Sequence, residues 1–299
     1  MHLNNPLSLL AAAAAAALIP LASAQCNGKT AYCDRSWSNI TTVGAHDSPF
    51  VGSGLSDNQD INITAQLEMG IRFLQGQTHY FLDELMMCHT SCLLEDAGTL
   101  TNFLSEIKTW LDSNPQEVVT VLVTNGDSVG IGNFSAAFEA SGIQEYAYVP
   151  STSPDVLPIG DWPTLQELID QGKRVVAFLD YGADMSSVPY ILDEFAYYFE
   201  TPYDVTDSTF SDCSINRPSG ASADGRMYIV NHFLDEDILG IDIPDRDAAA
   251  ATNAVSGTGS IGAQAALCEG LYGRAPNGIL LDWTDLGDPI GAQNAINGV

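Results

Sequence analysis

Two rhythms of apolar residues alternate along the chain. One is a set of short, nearly continuous apolar runs: 40–46 (ITTVGAH), 70–81 (GIRFLQGQTHYF), 116–127 (QEVVTVLVTNGD), 172–182 (GKRVVAFLDYG), 226–234 (RMYIVNHFL) and 277–285 (NGILLDWTD). Continuous rather than alternating runs of this length suit parallel strands covered on both faces. The other rhythm is helical. Leu100, Phe103, Leu104, Ile107 and Leu111 fall on one face of a helix predicted over 100–112, which "SNP" ends. A second helix begins at "PTLQELIDQG", where Thr164 and Glu167 form a capping box and Gly172 is the stop.

Strand alternating with helix leaves a doubly wound sheet or a (β/α)₈ barrel. No Gly-x-Gly-x-x-Gly opens the first helix, so a dinucleotide fold has no support. The strand ends discriminate further. Nearly every run finishes in His, Asp, Asn or Gln: His46-Asp47, Gln75/Gln77/His79, Asn125/Asp127, Asp180, Asn231-His232 and Asp282. In a barrel these ends converge on one mouth, where active sites lie. The expected fold is therefore α/β, a (β/α)₈ TIM-type barrel that can be distorted, with disulfide-clamped loops and one domain over residues 25–299.

Residues 1–24 read as a secretory leader. An Ala run from Ala11 to Ala17 continues to an Ala-x-Ala-type cleavage site ending at Ala24, although the usual Lys or Arg is missing before it. No segment predicts a membrane span, and "GAQNAINGV" at the end does not resemble an anchor signal. The mature chain is expected to be secreted and monomeric. In that setting six cysteines predict disulfides, and spacing ranks Cys26 with Cys33, Cys88 with Cys92 and Cys213 with Cys268. A zinc site from Cys88, His89 and Cys92 is the lesser alternative. Asn39, Asn62 and Asn133 occupy glycosylation sequons, which places them at the surface. Charge narrows the partners: 38 acidic residues face 10 basic ones, a net −28. That excludes nucleic acid, whose phosphates need clustered Lys and Arg, and an anionic membrane would repel the chain.

Histidine is scarce. After the leader only His46, His79, His89 and His232 remain, each at or just beyond a strand end. His46 lies in "GAHDS"; His89 lies in the "MMCHTSC" loop. Two histidines on opposite sides of a scissile bond suit phosphodiester cleavage, one as base toward the attacking hydroxyl and one as acid toward the leaving alkoxide. A carboxylate on the base would hold its tautomer, and Asp282 could reach His46 if the barrel closes last strand on first.

The ordered set "TVGAHDS", "GIRFLQGQTH", the His-bearing loop, "SEIKTWLDSNPQEVVTVLVTNGD", "GKRVVAFLDYG" and "ILLDW" resembles the X-region of phosphatidylinositol-specific phospholipase C, and the secreted fungal phospholipase-C-like phosphodiesterases in particular. The resemblance spans most of the mature chain. It implies a barrel that cleaves a lipid or small-molecule phosphodiester through a cyclic phosphate. It implies His46 as general base, His89 as general acid, Asp282 as the carboxylate orienting the base and Asp47 as support for the phosphate-stabilising group. That group differs here. Where bacterial members place an Arg and eukaryotic members acidic calcium ligands, this chain carries Gln75 and Gln77; Arg72 sits five residues too early. Where bacterial members bind inositol with an Arg, this chain has Asp180. His79, Asp180, Tyr181 and His232, with Tyr203 and Asn231, are further candidates for lining the mouth. No motif requires a cofactor; calcium could be recruited by Asp47, Asp180 or Glu200. Two other readings stay open: a carboxylate-based, glycoside-type enzyme on the same barrel, and a barrel that binds without turnover.

Overall fold

The structure, a computed structural model, describes residues 1–2 and 25–299. The expected leader, from residue 3 onward, lies outside the described residues. In chain order the strands are β1 (Thr42–Ala45), β2 (Phe73–Phe81), β3 (Glu84–Cys88), β4 (Asp96–Thr99), β5 (Val119–Asn125), β6 (Val175–Leu179), β7 (Ile191–Asp193), β8 (Tyr198–Glu200), β9 (Met227–Asn231), β10 (Asp235–Asp237), β11 (Asp242–Pro244) and β12 (Gly278–Leu281). The helices are α1 (Thr30–Cys33), α2 (Ile63–Met69), α3 (Leu100–Ser113), α4 (Ile131–Ser141), α5 (Leu165–Asp170), α6 (Glu194–Tyr197), α7 (Ala249–Thr252), α8 (Ile261–Tyr272) and α9 (Pro289–Asn297).

All six apolar runs contain strands. With β7 and β8 added, they pair in parallel in the order β7-β6-β5-β2-β1-β12-β9-β8, so the last strand closes on the first as a barrel requires. The barrel is distorted. No ladder joins β7 to β8 among the described residues, and a single helical turn, α6, is all that separates them in the chain. The long segment between β8 and β9 carries no helix. On the β2 side, β3 and β4 extend the sheet as an antiparallel meander. The two predicted helices stand: Thr99 caps α3 through Asn102, and the Thr164–Glu167 capping box opens α5.

The period of two within each strand divides the core into two layers. Val43, Ala45, Leu74, Val121, Val123, Val175, Ala177, Val230, Ile279 and Leu281 face outward, against Leu67, Phe103, Leu104, Ile107 and Phe134 of the helices. Their neighbours Phe73, Leu122, Val176, Phe178, Ile229 and Leu280 fill the interior. The end remote from the strand C-termini is plugged by aromatics, with Trp37 and Trp162 rings 4.4 Å apart. The barrel is thus solid below and open above, and the same parity that points Leu280 inward points Asp282 into the mouth. Gly44 lets β1 pack this closely, since a Cβ there would stand 2.7 Å from the Phe73 carbonyl oxygen.

The cysteines pair as Cys26–Cys33, Cys88–Cys92 and Cys213–Cys268. With Cys88 and Cys92 bonded to each other, the zinc alternative loses its thiolates. No helix of the described residues is long and apolar enough to cross a membrane. Asn39, Asn62 and Asn133 are all exposed, and the Asn62 Oδ1 also caps α2 by accepting from the Ala65 amide.

Candidate active site

The mouth is built from the residues that end the strands. His46 leaves β1 and Asp282 leaves β12, two strands in direct register, so their side chains meet: His46 Nδ1 lies 2.9 Å from Asp282 Oδ1. The other carboxylate oxygen accepts from Asn58 Nδ2 at 3.1 Å. Gln59 ties the two strand ends together by donating to the carbonyls of His46 and Leu281. The imidazole stacks on Phe233, with centroids 3.7 Å apart and planes 7° from parallel. Asp47 turns back into the barrel through a left-handed backbone (φ 43°), a conformation Asp tolerates better than most residues. The Gln75 side chain accepts its amide at 2.6 Å and holds that turn.

Asp47 Oδ2 is the point of convergence. It lies 3.4 Å from His46 Nε2 and 3.5 Å from His89 Nε2, and it accepts from Gln77 Nε2 at 2.9 Å. Its Oδ1 is buried with no partner. His89 is fixed from behind, because its Nδ1–H donates to the Ser56 carbonyl at 2.7 Å and its ring packs on Phe50. Both imidazoles therefore present Nε2 to one place, each anchored through Nδ1. Burial disfavours charge on His46, but Asp47 and Asp282 outweigh it and push its pKa up to about 9. Burial raises the Asp282 carboxyl, and the His46 charge opposes that rise.

Beside His46 opens a cavity of about 240 Å³, lined among others by Gln75, Gln77, Asp180, Glu194, Glu200, Tyr203, Arg217 and Asn231. Glu200 accepts from Arg217 Nε (2.9 Å) and Nη2 and from Asn231 Nδ2 (2.9 Å), and the guanidinium lies 4.4 Å from the Tyr203 ring. Asp180 Oδ1 accepts the amides of Asn125 and Tyr181.

Three expected mouth residues sit elsewhere. His232 shares the outward parity of Val230: it is fully buried, bonded through Nδ1 to Gln264 and through Nε2 to the Thr252 carbonyl. Burial lowers its pKa, as for a neutral structural imidazole. Tyr181 is half exposed and packs on Phe195 outside the cavity. His79 pairs with Asp127 at 3.2 Å, beyond the cavity lining. Arg72 is likewise structural, bonded to Glu117 and stacked over Trp110. The candidate calcium carboxylates do not form one ligand set. Asp47 faces the histidines and Gln77, whereas Asp180 and Glu200 are engaged across the cavity; among the described residues no three His, Cys, Asp or Glu side chains are grouped to hold a metal. Asn58, Gln59, Phe233, Glu194 and Arg217 were not legible as site residues. Asn58 and Gln59 come from the turn-rich "GSGLSDNQD", which carries no periodicity, and Arg217 from a loop.

The family model described as PI-PLC X 1 matches residues 32–297. The chain belongs to the PI-PLC X family. This PI-PLC X chain is 53% identical over 276 residues to a protein of the fungus Arthroderma benhamiae named "PI-PLC X domain-containing protein 1", covering 92% of this chain and 90% of that one. A second protein of that fungus, named "Uncharacterized secreted protein", is 44% identical over 281 residues; the match covers 91% of this chain and 63% of the relative, under two thirds of its length. Of solved structures, the phosphatidylinositol-specific phospholipase C from Listeria monocytogenes superposes with a TM-score of 0.56 over 89% of this chain and 95% of that one, at 15% identity, a likeness of fold.

Proposed function

We propose that this PI-PLC X chain is a secreted phosphoric diester hydrolase of phospholipase C type. Neutral His46 Nε2 takes the proton of a head-group hydroxyl, whose oxygen attacks phosphorus. The bond to the leaving alkoxide breaks, His89 Nε2 gives that oxygen a proton, and a cyclic phosphate remains. Asp282 positions the His46 ring and favours its protonated form. The observation that carries this reading is the convergence of two Nδ1-anchored imidazoles on one point, 3.4 and 3.5 Å from Asp47 Oδ2. Glycoside chemistry would call for paired carboxylates with the histidines far apart, and here the histidines share a carboxylate oxygen. Gln77 supplies a hydrogen-bond donor and no charge, so positive charge for the phosphate comes from the imidazoles themselves.

The test is turnover of phosphatidylinositol and of glycerol or nitrophenyl phosphodiesters, with and without calcium, by wild type, His46→Ala and His89→Ala. Wild-type turnover and a loss of at least about 10²-fold in each variant are expected. No turnover in any condition sinks the reading and leaves a binding barrel. Turnover that both variants retain sinks the assignment of the histidines.

A further inference from the structure

The cavity beside His46 has a composition that the phosphodiester chemistry leaves unexplained. Three carboxyl groups line it: Asp180 from the end of β6, Glu194 from the start of α6 and Glu200 from the end of β8. Apart from His46, Arg217 is the cation among the described residues lining it, and that guanidinium is committed. Its Nε and Nη2 edge goes to Glu200, and its flat face lies on Tyr203. A phosphate substituent entering here would meet three carboxyls and an Arg whose fork is taken.

Glu194 adds the second observation. It is 1% exposed, lines the cavity and shares a hydrogen bond with Glu200, and its buried Oε1 receives no donor among the described residues. A buried carboxyl oxygen that receives no donor is unfavourable, and a ligand donor would relieve it. The space suits a small head group rather than a whole lipid.

We propose that this cavity selects a polyol head group bearing an ammonium substituent, held by Glu194, Glu200 and Asp180, and rejects head groups bearing an additional phosphate. The proposal rests on the phosphodiester reading, since His46 borders the same cavity. The groups facing Glu194 define the electrostatics: Asp180 and Tyr181 from the β6 side, Tyr198 and Glu200 from β8, and Arg217 from the following loop. Burial, reinforced by the Glu200 charge, pushes the Glu194 carboxyl well above its ordinary range, so it holds a proton in the empty cavity. Glu200 stays ionised because Arg217, Glu194 and Asn231 outweigh its burial. An arriving ammonium replaces the Glu194 proton as the counter-charge, so binding releases a proton and strengthens as pH rises. A neutral polyol offers a hydroxyl to the same oxygen and releases none.

Calorimetry on the intact protein tests this with N-methylglucamine, sorbitol and sorbitol phosphate as the amine-bearing, neutral and anionic probes. N-methylglucamine should bind at least roughly tenfold tighter than sorbitol, with sorbitol phosphate weakest. Titrations in PIPES and HEPES, whose ionisation enthalpies differ, should show close to one proton released for the amine alone. Glu194→Gln keeps the shape and cannot ionise; it should abolish both the proton release and the amine preference. Equal affinity for amine and neutral polyol, or a preference that Glu194→Gln retains, overturns the proposal. Should that variant fail to fold, the wild-type proton count decides, and absence of release overturns it. Because binding is read without turnover, amine preference in a protein that cleaves no phosphodiester overturns the catalytic reading and not this one; cleavage without amine preference does the reverse.

Discussion

His46 carries opposing demands. As a base it must be neutral, yet Asp47 and Asp282 overcome the burial that disfavours charge and hold its pKa at about 9. At neutral pH only about one molecule in a hundred then has the neutral ring. The first prediction is that the His46 ring, followed by NMR, gives a titration limb with its midpoint near pH 9. A limb near the ordinary imidazole value would contradict the geometry. The second concerns Asp282→Asn. It removes a raising charge, so the limb should move to lower pH; the amide also sets a donor against Asn58 Nδ2, so kcat/KM should fall by at least about 10²-fold. An imidazole titration by NMR would separate the two effects. The sign for stability follows as well: with a folded pKa above the ordinary 6.5, the His46 charge stabilises the fold fully below that value, and the contribution fades as pH rises through about 9.

At the level of elements, the clamped loop matters more for chemistry than for stability. Cys88 and Cys92 close a separation of 4 residues around His89, whereas Cys213 and Cys268 close 55 and staple the β8–β9 connection to α8. Chain entropy assigns about 2 kcal/mol to the short loop and about 4 kcal/mol to the long one. Replacing Cys213 and Cys268 by Ala should therefore cost more in urea unfolding, and replacing Cys88 and Cys92 more in turnover. Equal turnover in both double variants would show that Ser56 and Phe50 alone hold His89. The elements were the most legible part of the fold, because each strand and helix announces itself through a local period. The open seam at β7–β8 was not: β7 and β8 span 3 residues each, too short to show one.

Across the whole molecule the charge of −28 is a standing self-repulsion, with a sequence pI near 4.1. Raising ionic strength from ~0.01 to ~0.15 M shortens the Debye length from about 30 to about 8 Å. The melting temperature should rise with sodium chloride over that range by differential scanning calorimetry. A flat response would mean that surface carboxylates such as the partly buried Asp60, paired with Arg246, are already locally balanced. The same field makes the acid-lined cavity stand out less in the sequence, since three more carboxylates among 38 acidic residues carry no signal of their own.

The sequence by itself determined six of the barrel strands and the two clear helices, ranked the cysteine pairs, and put His46, His89 and Asp282 at or just beyond strand ends, because runs, caps and strand-end polar residues are local statements that parallel pairing then brings together. Tertiary structure alone decided which side of each strand is inside. Asn231 and His232 are adjacent in the chain, yet one lines the cavity and the other is buried against Gln264 and Thr252. A strand apolar on both faces bears no mark of its inner side. Only curvature, closure and what packs behind it make that choice, and the same choice set Glu194, Glu200 and Arg217 around one small cavity beside His46.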